Sequence, residues 1–128
     1  MDDRERFAKG LEVRRAVLGE KHVNASLEKS NSFTAEFQDL VTRYAWGEMW
    51  TRQGLSRQTR SLVTLAMLIA LNRGDEFRLH LRGAMNNGAT RDQIKELLMQ
   101  AAVYCGVPAA NSAFRVADEI FAEQDRSA

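Results

Sequence analysis

From Ile94 to Cys105 the apolar residues fall three and four positions apart: Ile94, Leu97, Leu98, Ala101, Ala102 and Cys105. That spacing lays one stripe along an α-helix. Ala113, Val116, Ala117, Ile120 and Phe121 repeat the pattern further on. Alternating strand patterns are scarce, and strong helix formers (Ala, Leu, Met, Glu, Gln, Arg) dominate. The chain therefore reads as all-α, with about six helices. The first spans 3–17 and ends near Gly19, and an extended stretch covers 20–31. Asn31 or Ser32 caps a helix over 33–52, and Ser56 caps another that stops at Gly74. A fourth helix covers 75–86 and ends at Asn86, Asn87 and Gly88. Thr90 with Gln93 forms a capping box for the fifth. Gly106 and Pro108 close that helix and open the last.

The run 62–71, "LVTLAMLIAL", is apolar nearly all round. Such a helix belongs at the centre of the fold, covered on several sides. It is about half as long as the roughly 20 residues of a membrane span. In a chain of 128 residues part of its cover is expected from a second copy. No break in composition divides the chain, so one domain over 1–128 is expected.

Charge and cysteine content narrow the chemistry. Eighteen basic and seventeen acidic residues nearly cancel, so no overall field favours nucleic acid or an anionic membrane. The first ten residues are charged rather than apolar, unlike a secretory signal, and a soluble cytoplasmic protein is expected. The one cysteine, Cys105, excludes an internal disulfide and reads as a small core residue. Phosphate-binding glycine motifs and a His pair at helical spacing are both missing, so neither a nucleotide nor a metal is expected.

Several polar and aromatic residues stand out. The segment "YAWGEMW" holds both tryptophans, Trp46 and Trp50, around Glu48. A carboxylate beside aromatic surface is desolvated and its pKa rises unless a cation pairs with it; Arg52, four residues on, is the candidate partner. Arg60 and Ser61 sit near the start of the apolar helix, where an arginine beside free backbone N–H groups suits a carboxylate. His80 follows Glu76 by one turn, and that carboxylate is placed to orient the imidazole. Each of these also fits an ordinary surface or core role. Tyr104 and Cys105 close a helix ahead of a tight turn.

Taken in series, "VRRAVLGEKHV", "YAWGEMWTRQGLSRQTRSLVTLAMLIAL", "EFRLHLRGAMNNGAT" and "AVYCGVPAANSAF" resemble the carboxymuconolactone decarboxylase family over essentially the whole chain. The resemblance implies an alkyl-hydroperoxidase-D-like helical fold assembled as a homo-oligomeric ring, commonly a hexamer, possibly a trimer of dimers. It implies cofactor-free decarboxylation of a small lactone dicarboxylate in protocatechuate breakdown by the β-ketoadipate pathway. Peroxidases of the wider superfamily carry CxxCxxxH; here Arg73 and Glu76 occupy the two thiol places, so thiol chemistry is not expected. The roles that follow are His80 as oxyanion partner or proton donor, Glu48 as relay, and Arg60 and Arg52 as carboxylate anchors. Trp46 and Trp50 form an apolar wall, His22 is a second acid, and Tyr104 adds a substrate contact. A related lactone as substrate, or a non-catalytic helical oligomer, are the other readings.

Overall fold

A computed structural model describes residues 1–128. It contains seven α-helices, one π-helix and no β-strand, so the all-α expectation holds. The chain packs as two compact units, residues 1–57 and 58–128, and each is described by itself.

The first unit opens with α1 (Asp3–Leu18), whose Asp2 side chain accepts a hydrogen bond from Glu5 N at 2.9 Å. Gly19, at φ +93°, reverses the chain into α2 (Glu20–Glu28). The extended stretch expected over 20–31 is thus mostly helix. One apolar position per turn is a weak signal, but Val23 is fully buried and α2 packs on α1, so tertiary contact supplies what local propensity lacks. Asn31, rather than Ser32, organises the next start: its Oδ1 accepts from Phe33 N and Thr34 N at 2.9 and 3.2 Å. The helix expected over 33–52 proves to be two: α3 (Ala35–Val41) runs directly into a π-helix (Thr42–Met49).

Packing of α1 on the π-helix is set by two glycines. A Cβ on Gly10 would lie 2.1 Å from the Thr42 carbonyl oxygen, and one on Gly47 would lie 2.2 Å from that of Arg6. Both clashes are with backbone, which cannot rotate aside. The helices therefore touch main chain to main chain.

The second unit holds α4 (Arg57–Ala70, its first residue at the unit boundary), α5 (Gly74–Asn86), α6 (Arg91–Tyr104) and α7 (Val107–Ser127). Its core joins Leu65, Ile69, Phe77, Leu81, Ile94, Leu98, Ala113, Ala117 and Ile120. α4 stops four residues before Gly74. Asn72, at φ +57°, makes the turn, a conformation Asn tolerates better than most residues; Gly74 starts α5 instead of ending α4. The capping box of Thr90 and Gln93 is present in both directions. Gly106, at φ +101°, and Pro108 separate α6 from α7 as expected.

One chain covers the apolar run only in part: α4 buries Ser61, Leu65 and Ile69 and leaves Met67 58% exposed, and Leu71 just beyond its end is 68% exposed. One expectation about burial is corrected: Cys105 is exposed, not a core residue. It continues the stripe of α6 by count, but the helix ends at Tyr104 and Cys105 caps it.

The glycine crossing yields a direct test. Gly10→Ala or Gly47→Ala should destabilise the protein by at least about 2 kcal/mol in urea unfolding, because a methyl group meets immovable backbone. Gly54→Ala, where nothing lies within 4 Å, should change stability little.

Candidate functional site

Five of the residues singled out from sequence lie in the first unit (His22, Trp46, Glu48, Trp50, Arg52) and three in the second (Arg60, His80, Tyr104). In the first unit the π-helix governs the arrangement. Trp46 and Trp50 stack with ring centroids 5.1 Å apart and planes 25° from parallel. Both are buried. Such offset stacking is a favoured arrangement of two aromatic rings.

Glu48 is held by a cation from another helix, which the sequence reading did not name. Its Oε2 accepts from Arg6 Nε of α1 at 2.8 Å, and Arg6 also donates to Asp3 at 3.2 Å. Arg52 lies beyond the end of the π-helix, and its backbone N–H donates to the Met49 carbonyl at 3.1 Å. Glu48 borders a shallow open depression with Asp3, Arg6, Leu40, Arg43 and Tyr44.

His22 lies on the exposed side of α2. Its pKa lies below the ordinary 6.5, first because of partial desolvation and then because the Arg14 and Lys29 charges repel a proton. Arg14 was missed in reading the sequence for function. The signal was there: Gly10, Val13, Arg14, Val17 and Leu18 form the buried stripe of α1, with a charged residue at a core position.

In the second unit Arg60 stands in the first turn and a half of α4 and is partly buried. Ser61 beside it is fully buried, and its Oγ accepts from Asn87 Nδ2 at 2.9 Å. Gln58 Nε2 donates to the Gly88 carbonyl at 2.8 Å. The start of α4 is thereby stapled to the turn after α5. His80 lies midway along α5, also partly buried. Glu76, one turn before it, accepts at Oε1 from Arg73 Nη2 at 2.8 Å. That bond holds the Glu76 carboxyl below its usual range, and the His80 charge adds a smaller pull. The two positions read as thiol places are therefore joined to each other by an ion pair. Tyr104, 80% exposed, sits among exposed Val103 and Val107 at the end of α6. No cluster of three or more His, Cys, Asp or Glu side chains is arranged to hold a metal ion, and no helix is long and apolar enough to cross a membrane.

The chain is all-helical, with a histidine and several arginines on its helices and an Arg73–Glu76 ion pair at the positions read as thiol places. The chain belongs to the carboxymuconolactone decarboxylase family, whose model matches residues 35–119. It is 55% identical over 121 residues to the 4-carboxymuconolactone decarboxylase of Acinetobacter baylyi, covering 94% of this chain and 90% of that one. It is 46% identical to the nitrosuccinic acid decarboxylase of Metarhizium robertsii over 102 residues, 80% of this chain and 71% of that one. A 48-residue 4-carboxymuconolactone decarboxylase sequence from Pseudomonas putida matches at 52% identity, 38% of this chain and all of that sequence.

The environment of His22 sets its titration. A folded pKa below 6.5 means the unfolded chain binds more protons just under that value, so stability falls as pH drops from about 6.5 through the folded pKa. NMR should find His22 titrating below 6.5, and Arg14→Met should move it partway back. A His22 pKa at or above 6.5 in the folded protein would contradict this picture.

Proposed function

We propose that this protein is a 4-carboxymuconolactone decarboxylase, converting the lactone dicarboxylate to β-ketoadipate enol-lactone and CO2. The observation that carries the reading is the 55% identity spread over 94% of the chain. The family match runs from residue 35 to 119, across the boundary between the two units, which supports treating 1–128 as one functional domain. The setting implied is cytoplasmic aromatic catabolism.

The reaction asks for no organic cofactor. The bond from the ring carbon to its carboxylate breaks, and the electron pair moves through the ring double bond into the lactone carbonyl. CO2 leaves, the dienolate carries the negative charge on oxygen, and a proton then adds to the carbon beside the carbonyl. The substrate is its own electron sink. Nitrosuccinic acid, named in the relative from Metarhizium robertsii, is also a dicarboxylic acid, and its nitro group accepts electrons in the same way. It is the second substrate to test.

The protein has to bind two carboxylates, stabilise the growing oxyanion and deliver one proton. His80 is assigned the oxyanion contact or the proton, Glu48 the relay, and Arg60 and Arg52 the anchoring of charge through the guanidinium fork. The stacked pair of Trp46 and Trp50 supplies an apolar wall, His22 a second acid and Tyr104 a further contact. Thiol peroxidase chemistry is disfavoured by Arg73 and Glu76, which hold each other where a dithiol would be needed.

A homo-oligomeric ring, with a hexamer as the expected size, is the assembly we propose. Two exposed apolar stripes support it. Phe33, Phe37, Leu40 and Tyr44 run along the first unit, and Met99, Val103, Tyr104 and Val107 along the second, each at least 51% exposed. Monomers seldom leave such contiguous patches in water.

The purified protein should release CO2 from 4-carboxymuconolactone with loss of the substrate's ultraviolet absorbance, unaffected by chelators. Absence of turnover on this substrate would refute the assignment, and turnover on nitrosuccinate alone would redirect it. His80→Ala should lower kcat by a factor on the order of 10²–10⁴ with the helical spectrum intact; near-normal turnover would remove His80 from the chemistry. Light scattering coupled to gel filtration should give a mass several times 14.5 kDa; a monomer would contradict the ring.

A further inference from the structure

The arginines of this chain are distributed against the usual rule. Arg6, Arg73, Arg78, Arg82 and Arg91 each pair with a carboxylate, and all five pairs are partly or well exposed to solvent. Arg14 is 94% buried (6% exposed) on the inner face of α1, and no carboxylate pairs with it. Its Nη1 donates to Thr42 Oγ1 at 3.4 Å and its Nη2 to Gln38 Oε1 at 3.3 Å, both long bonds to neutral oxygens. Its Nε–H is buried without an acceptor. Next to it in sequence, Arg15 repeats the situation: Nη2 donates to Asn24 Oδ1 at 3.1 Å and Nε is buried with none.

A buried charge without a counter-ion is expensive, and a fold seldom keeps one unless an anion completes it. The guanidinium is also held ready. Thr42 donates its hydroxyl proton to the Gln38 carbonyl at 2.8 Å, so toward Arg14 it can only accept. Gln38 and Thr42 are one turn apart where α3 becomes the π-helix, and together they fix the orientation of the fork. The Arg14 charge reaches far enough to disfavour protonation of His22 on α2. The place where Arg14 of α1 meets Gln38 and Thr42 is thus electropositive, with the guanidinium oriented and its Nε–H left without an acceptor.

We infer that Arg14 is a carboxylate receptor of the binding site, holding the substrate carboxylate that is retained in the product. The identity of the ligand rests on the decarboxylase reading above. The choice between the two carboxylates follows from the chemistry. The carboxylate that departs must become neutral CO2, and a strong ion pair with it would stabilise the ground state and oppose its loss. The carboxylate that stays keeps its charge throughout, so a buried guanidinium can bind it equally well before and after the reaction. Arg14 therefore acts on affinity and on the preference for dicarboxylates over monocarboxylates.

The experiment compares wild type, Arg14→Met and Arg14→Lys by steady-state kinetics and by thermal unfolding with and without succinate as a plain dicarboxylate probe. Arg14→Met should unfold at the same temperature as wild type or higher, because a desolvated charge is gone. Its KM should rise about 10- to 100-fold, the range for losing charged hydrogen bonds, with a smaller change in kcat. The upward shift in Tm that succinate gives wild type should disappear. A purely structural Arg14 predicts the reverse, a lower Tm with KM and the succinate shift preserved, and that result would overturn the inference. If Arg14→Met fails to fold, Arg14→Lys decides: a raised KM supports the receptor and an unchanged KM rejects it. The two proposals separate cleanly. A succinate shift that Arg14→Met abolishes, in a wild type without decarboxylase activity, removes the activity and keeps the receptor. An active wild type whose Arg14→Met variant retains its KM removes only the receptor. A wild type with neither turnover nor a succinate shift removes both.

Discussion

The main-chain contact between Gly10 and Gly47 is the constraint on which the first unit depends. Two helices that approach this closely have little freedom to slide or rotate, because backbone atoms replace the adaptable side chains of an ordinary helix interface. The crossing fixes what lies one turn to either side on α1. Arg6, four residues before Gly10, reaches Glu48 beside Gly47. Arg14, four residues after, reaches Thr42 at the other end of the π-helix. One contact thus sets an exposed ion pair at one end and a buried cation at the other.

Much of the fold could be read from the order of residues. Periodicity marked α6 and α7, the apolar run 62–71 marked α4, the Thr90–Gln93 box marked the start of α6, and Gly106 with Pro108 marked the break before α7. The features missed share a physical origin. α2 has too few apolar positions to announce itself and depends on its packing against α1. The π-helix was read as part of one helix over 33–52, because the residues that form it are ones an α-helix also accepts. The end of α4 was placed at a glycine when an asparagine made the turn, because Asn can take a left-handed conformation that its name alone does not disclose.

The residues of the candidate site were legible as types more than as partners. Trp46 and Trp50 stood out together, and the structure shows them as a stacked pair. Two carboxylate partners were not anticipated: Glu48 accepts from Arg6 across 42 residues, and Glu76 accepts from Arg73 one turn before it. Local i, i+4 reasoning names every cation within reach on one helix, and cannot weigh one brought in by another. Arg14 was hidden for the opposite reason. It stands in the buried stripe of α1, which the sequence reading did not trace, and a charge there is easily read as surface until the structure shows the stripe facing inward.

The π-helix adds a constraint on how this surface could have arisen and how it can change. A π-turn holds one more residue than the α-helix it interrupts, so removing a single residue from 42–49 would leave a regular helix of the same direction. Gly10 lies against the Thr42 carbonyl and the Gly47 amide at once. The wide turn brings those two residues to one level, where an α-helical turn would align residues spaced one position closer. The close crossing therefore rests on the length of this segment as much as on the glycine at 47.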